Sequence, residues 1–275
     1  MYTQPKNTSE TKPVTLATLA KMKAEGKRIA SLTAYDASFA ALLDEAGVDF
    51  VLVGDSLGNV VQGHATTVPV TVDDIIYHTQ NVARGLKRAF LMADMPFMSY
   101  PTPEEALFNA ARLMQEGGAK MVKLEGSGRQ EDIVRYLTDN GIPVCAHLGL
   151  RPQFVHKLGG FMVQGRSASD AKQMIKDAQL LEKAGADMIL LELVPSSLAA
   201  KITAKVHVPV IGIGAGPKVD GQILVLYDML DITPGRRPKF SRNFMADGGS
   251  PAKAVAAFVE AVRDGSYPAA EHSFD

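Results

Sequence analysis

Short apolar runs alternate with longer amphipathic stretches along almost the whole chain, and that alternation is the strongest constraint on its fold. The expected strands are 28–35, 50–55, 89–94, 120–125, 143–148, 187–192, 208–213 and 237–241. Helical patterns are expected at 15–26, 37–46, 73–86, 103–116, 130–140, 168–184, 196–206, 220–230 and 251–264. The strand runs are almost continuously apolar, as they are when both faces of a sheet are covered. Eight strand–helix pairs imply a parallel sheet, and eight units fit an α/β fold of the (β/α)8 TIM barrel type, with an extra helix before the first strand. An open doubly wound sheet would place a glycine-rich turn after its first strand, and "LTAYDASFA" has none there. The "GIGAG" run at 212–216 is followed by Pro217 where a dinucleotide fingerprint needs its third glycine. No linker or low-complexity stretch divides the chain, so residues 15–275 are expected to form one barrel domain behind a polar, disordered tail at 1–14.

Charge and cysteine content narrow the function. A net charge of -1 offers no uniform field to hold nucleic acid or an anionic membrane. The densest basic cluster, "GRRPK" at 235–239, reads as a solvated loop. The single cysteine excludes an intrachain disulfide and fits a reducing compartment. Cys145 lies inside the apolar "IPVCAHL" and reads as a small core residue. No secretory signal is visible, and no run approaches the roughly 20 apolar residues that cross a bilayer. A soluble, cytoplasmic protein is expected.

The ends of the apolar runs carry the chemistry. "FVLVGDS" closes on Asp55 and Ser56, "FLMADMP" on Asp94, "MVKLEG" on Glu125 and "ILLELVP" on Glu192. Barrel enzymes work at the C-terminal rim, where strands hand over to loops. Strand alternation points Lys123 wherever Glu125 points, and His147 closes the fifth strand in the same way. One Asp after a strand is more often a helix cap or turn former. Four acids and a lysine at one rim are harder to dismiss, because converging carboxylates mark a bound cation or a proton to be moved. Oxygen ligands without cysteine suit Mg²⁺ better than Zn²⁺. The residue pattern alone therefore reads as a metal-dependent barrel enzyme of unspecified substrate.

Longer strings carry a resemblance. "TAYDASFAALLDEAGVDFVLVGDSLGNVVQGHATTVPVT", "LMADMPFMSY", "MVKLEG", "PVCAHLGLRPQ", "GGFMVQGR", "LLELVP", "PVIGIGAG" and "GSYPAAEHSF" resemble the ketopantoate hydroxymethyltransferase family, in order from about residue 15 onward. The resemblance implies a barrel of the phosphoenolpyruvate/pyruvate superfamily. It implies transfer of a one-carbon unit from 5,10-methylenetetrahydrofolate to 3-methyl-2-oxobutanoate through a Mg²⁺-stabilised enolate, giving 2-dehydropantoate, the first step of pantothenate biosynthesis. Carried over by motif, Asp55, Asp94 and Glu125 hold Mg²⁺, while Asp55, Ser56, Asp94 and Lys123 bind the keto acid. Glu192 is the proton acceptor, folate is a co-substrate, and the assembly is a homo-oligomer of the family's decameric kind.

Two alternatives remain at this stage. One is a Mg²⁺-dependent carbon–carbon lyase or mutase of the same superfamily, which would not need folate. The other is a non-catalytic barrel, which would not be expected to keep this rim intact. Three features stay open: 57–71 as a lid or an ordered rim loop, His147 as an orienting or merely hydrogen-bonded group, and "GIGAG" as close packing or a folate contact.

Overall fold

The computed structural model describes residues 12–275. Its elements in order are α1 (Leu16–Ala24), β1 (Ile29–Thr33), α2 (Ala37–Glu45), β2 (Phe50–Val53), α3 (Leu57–Val60), α4 (Val72–Gly85), β3 (Phe90–Asp94), α5 (Pro103–Gln115), β4 (Met121–Glu125), α6 (Arg129–Asp139), β5 (Val144–Gly149), α7 (Val155–Leu158), α8 (Ala168–Lys183), β6 (Met188–Glu192), α9 (Ser196–Thr203), β7 (Val210–Ile213), β8 (Gly221–Leu224), α10 (Leu226–Met229), α11 (Met245–Gly248) and α12 (Pro251–Asp264). Among the described residues, β1 to β8 form a closed parallel barrel in sequence order.

Local sequence sets the helix starts. Thr71 and Asp74 cap α4 reciprocally, the Thr71 hydroxyl accepting from the Asp74 N–H and the Asp74 carboxylate accepting from the Thr71 N–H. Thr102 before Pro103 and Ser250 before Pro251 place a capping side chain ahead of a proline in the first helical turn. One contiguous apolar cluster, from Val14 to Tyr267, packs the barrel interior and the layer between strands and helices. Cys145 belongs to it, fully buried, with burial pushing its thiol up to about 12. Of the expected tail at 1–14, residues 1–11 lie outside the described residues. Val14 is buried, and its N–H donates to the Arg88 carbonyl at 2.8 Å.

The eighth strand corrects the sequence expectation. Residues 237–241 are irregular, and β8 lies instead at Gly221–Leu224, inside the stretch expected to be helix 220–230. "GQILVLYDM" satisfies both periodicities, because a four-residue strand is followed almost at once by the four-residue α10. Gly221 marks the seam. It pairs with Ile29 of β1, and a Cβ there would lie 2.5 Å from the Ile29 carbonyl oxygen. Only glycine lets the two ends of the sheet approach closely enough to close.

Among the described residues, no helix is long and apolar enough to cross a membrane. Gly221→Ala should force the closing seam apart and cost about 1–3 kcal/mol, the scale of overpacking a close contact. The midpoint of urea unfolding reads this directly, and a variant as stable as the parent would contradict the tight seam.

Candidate active site

All six residues singled out from the sequence line one cavity of about 530 Å³ at the C-terminal rim. Asp94, Glu125 and Glu192 are the last residues of β3, β4 and β6, and Lys123 shares a face with Glu125. Asp55 lies two residues beyond β2, where its N–H donates to Asp94 Oδ2 at 2.9 Å. Ser56 begins α3 without capping it through its side chain. Its hydroxyl is 2.8 Å from the Tyr35 hydroxyl instead, so the simple cap reading of Asp55–Ser56 fails.

At the centre is the Lys123 ammonium. Its Nζ lies 2.6 Å from Asp94 Oδ1 and 3.3 Å from His147 Nδ1. Because an ammonium only donates, His147 Nδ1 accepts, which leaves the proton of the neutral ring on Nε2. That nitrogen lies 3.4 Å from Glu192 Oε2 without making a hydrogen bond to it. His147 is thus a buried wedge between Lys123 and Glu192. Immediately after Glu192 the chain turns through Leu193 with φ +48°, a left-handed conformation that non-glycine residues rarely adopt. The Leu193 N–H donates to the Ile213 carbonyl at 3.0 Å, so the turn that presents Glu192 is fixed to the neighbouring strand.

Sequence reasoning missed the groups that brace this cluster. Gln153 donates from Nε2 to Asp55 Oδ2 and to the Met95 carbonyl, both at 2.9 Å, and from its backbone N–H to Glu125 Oε2 at 3.2 Å. The Tyr100 hydroxyl donates to Gln153 Oε1 at 2.5 Å and accepts from the Glu125 N–H at 3.3 Å. Gln153 did fall inside the "GLRPQ" string, but a neutral amide in a loop carries no chemical signal of its own. The stretch 57–71 is an ordered rim segment anchored by buried Leu57, Thr67 and Val70, with 61–65 exposed. "GIGAG" serves close packing: Gly216 has φ +77°, and a Cβ there would lie 2.4 Å from the Ser196 hydroxyl.

Burial governs the electrostatics. Asp55, Asp94, Lys123, Glu125 and His147 are each no more than 4% exposed. Desolvation pushes Asp55 up to about 7, with Asp94 adding repulsion and Lys123 opposing both. Asp94 is raised by burial against the pull of Lys123, and Glu125 is raised well above the usual carboxylate range. Burial opposes charge on Lys123 as well, but Asp94, Glu125 and Asp55 outweigh it and keep the ammonium firmly protonated. His147 is held neutral by burial and by Lys123. Glu192, with 16% of its side chain exposed, is pushed up to about 8, chiefly by burial.

The donor set fits a hard divalent cation in an open site. Among the described residues no three His, Cys, Asp or Glu side chains form a ready-made cage. Mg²⁺ needs only one or two protein carboxylates, leaving its other positions to water and substrate. The hydrogen-bonded pair Asp55 and Asp94 could supply these. Behind them Glu125 Oε1 is a buried oxygen with no hydrogen-bond donor.

Comparison with known proteins places the chain. The family model for ketopantoate hydroxymethyltransferase matches residues 13–270. The 3-methyl-2-oxobutanoate hydroxymethyltransferase of Alkalilimnicola ehrlichii is 60% identical over 263 residues, covering 96% of this chain and 95% of that protein. The enzyme of the same name from Nitrosococcus oceani is 56% identical over 261 residues, covering 95% and 99%. Among solved structures, phosphonopyruvate hydrolase in complex with oxalate and Mg²⁺ superposes with a TM-score of 0.58 at 14% identity, over 94% of this chain and 92% of that one. 2,3-Dimethylmalate lyase, a member of the PEP mutase/isocitrate lyase superfamily, gives 0.58 at 17% identity, over 92% and 87%. At such identities the structural likeness speaks for the fold.

The shifted Glu192 gives a stability signature. An acid whose pKa is higher folded than unfolded binds its proton more tightly in the folded state, so its contribution to stability is present at low pH. That contribution is lost as pH rises from the unfolded value, near 4.5, through the folded one, about 8. Glu192→Gln should therefore be more stable than the parent at pH 8.5, and the advantage should vanish near pH 4.5. Thermal unfolding of both proteins across that range checks it; an advantage that does not depend on pH would contradict the raised pKa.

Proposed function

The chain belongs to the ketopantoate hydroxymethyltransferase family, and from that premise we propose that its rim cavity transfers a hydroxymethyl group from 5,10-methylenetetrahydrofolate to 3-methyl-2-oxobutanoate, giving 2-dehydropantoate. One observation carries the reading: an acid with a pKa of about 8 faces the same cavity as a separate cluster of hard oxygen donors and a buried ammonium. The first can move a proton while the second manages charge. A lyase of the same superfamily would share the cluster but need no folate, and identities of 56–60% to enzymes named as transferases favour transfer.

Each residue's work follows from its surroundings. The carboxylate of the keto acid needs positive charge, and Lys123 provides it from a fixed position against Asp94. Burial keeps the Tyr35 phenol protonated, so it can donate to Ser56 Oγ and leave the serine hydrogen free for the substrate carboxylate. Glu192 takes the proton from C3, and a pKa near the working pH suits that task. His147, buried and neutral with Nε2 3.4 Å from Glu192 Oε2, packs beside the base without competing for the proton. A divalent cation such as Mg²⁺, held by Asp55 and Asp94 with Glu125 behind them, would supply Lewis-acid polarisation of the keto group when bound. The electron pair left at C3 forms the new carbon–carbon bond. The transferred carbon comes from folate, one water supplies the hydroxyl oxygen, and tetrahydrofolate leaves.

The homo-oligomer of the decameric kind that the family resemblance implies would find exposed Phe97, Met98 and Phe108 available for subunit contact. We assign the protein to the cytosol on its single, buried, reduced cysteine.

Turnover of 3-methyl-2-oxobutanoate should require methylenetetrahydrofolate and should stop when a chelator removes divalent cations. Asp94→Ala takes away both the partner of Lys123 and the acceptor of the Asp55 N–H. It should lower kcat/KM by about 10²–10³-fold, the scale of losing one preorganised charge-stabilising group, and added Mg²⁺ should restore little. Near-normal turnover in that variant would sink the assignment.

A further inference from the structure

The cavity is larger than its acidic floor requires. A volume of about 530 Å³ falls within the range of roughly 300–1,000 Å³ that takes a drug-sized ligand, whereas the keto acid has only a handful of heavy atoms. The lining is not all acidic. Phe161, Phe240 and Phe274 line it, and with them stand two cations, Arg236 and Lys239. These belong to the basic run at 235–239, which the sequence offered only as a solvated loop.

The cations of that run have different surroundings. Arg237 is committed to the fold: its guanidinium pairs with Asp231 and donates from Nε to the Ser241 carbonyl. Lys239 donates from Nζ to the Ser273 carbonyl at 2.7 Å and lies 4.8 Å from the Phe274 ring centre. Arg236 is exposed, lines the cavity, and makes no hydrogen bond or ion pair with any described residue. An unengaged guanidinium and a half-engaged ammonium beside aromatic walls suit a ligand that is flat and apolar in one part and anionic in another.

We propose that Arg236 and Lys239 receive the anionic end of the folate co-substrate. The inference rests on the transfer reaction proposed above and names where its second substrate is held. In a methylenetetrahydrofolate the carbon to be transferred lies between the pterin and an aminobenzoyl ring, and the far end of the molecule is a glutamate carrying carboxylates. With the keto acid on the floor, the transferred carbon must reach C3. The aromatic walls then flank the ring portion, and the glutamate lies against the two cations. Groups of opposite charge lining one cavity thereby sort the substrates. The small keto acid needs the charge compensation of the floor, and the long anionic donor is retained at the other end.

Initial-rate kinetics test this when each substrate is varied at saturation of the other, in the intact protein, Arg236→Ala, Arg236→Lys and Lys239→Ala. Lys172→Ala, which removes an exposed charge on α8, serves as the comparison. Arg236→Ala should raise KM for methylenetetrahydrofolate by about 5-fold, as expected for loss of one partly exposed ion pair, with the loss falling on KM rather than kcat. Arg236→Lys should recover part of it, and Lys172→Ala should not reproduce it. With a 5,10-methylenetetrahydropteroyl amide, which keeps N5 and N10 but lacks the glutamate, the difference between Arg236→Ala and the parent should disappear. Lys239→Ala should behave like Arg236→Ala, and because Lys239 also holds the 273–274 segment, Arg236 is the cleaner probe. An unchanged folate KM in Arg236→Ala overturns the proposal. So does a rise confined to the keto-acid KM, or an equal loss with the tailless donor. Absence of folate-dependent turnover in the unsubstituted protein would instead overturn the transfer reaction itself, a separate result.

Discussion

The contact between the Lys123 ammonium and Asp94, 2.6 Å apart and almost wholly out of water, is the interaction on which this site depends. Four carboxylates near one another in a low-dielectric cavity repel, and burial penalises the charge on each. One fixed positive charge makes the cluster tolerable without neutralising it. Burial first, and then the remaining charge imbalance, raises the pKa values of Asp55, Glu125 and Glu192. A site left short of positive charge suits the divalent cation proposed for it. The same shortage makes the unliganded protein less stable at neutral pH than it would be with amides in place of acids. Stability given up at a rim in this way is characteristic of function.

Such a cluster has to be held rigidly, and the barrel does that at two levels. The strands fix the spacing of Asp94, Lys123, Glu125 and Glu192 through the register of neighbouring backbones. Gln153 and Tyr100 then tie the acids to one another, with a single amide side chain reaching Asp55 while its own backbone N–H reaches Glu125. Loss of that brace would leave buried carboxylate oxygens without donors, a costlier result than the loss of an exposed bond. On the far side His147 and the left-handed turn at Leu193 present Glu192 to the cavity apart from the acids on β3 and β4. The two tasks proposed for these groups, proton transfer and charge management, thus fall on different supports.

How much of this could be read from the sequence depended on whether a residue's role leaves a local pattern. Asp94, Glu125 and Glu192 each end an apolar run, so their place at a barrel rim followed from the strand pattern. The shared face of Lys123 and Glu125 followed from alternation, and the structure keeps it. Gln153 left no such trace, because its partners lie 28 and 98 residues away in the chain. The eighth strand failed for the opposite reason: Gly221–Leu224 does carry a pattern, but one compatible with the helix that begins at Leu226. The basic run at 235–239 showed its charge and nothing of its location. Only the fold separates Arg237, consumed by Asp231, from Arg236, which faces the cavity.

The central claim is that Glu192 takes the C3 proton of the keto acid while the Lys123 cluster steadies the charge left behind. Enolisation needs no folate, so it can be observed alone. Proton NMR of the isopropyl methine of 3-methyl-2-oxobutanoate, followed in D₂O with Mg²⁺ and the protein but without folate, measures that step directly. The account predicts exchange catalysed by the unsubstituted protein and slowed by about 10²–10⁴-fold in Glu192→Gln, the usual contribution of a positioned acid–base group. Exchange at the parent rate in Glu192→Gln would contradict it and remove Glu192 as the base.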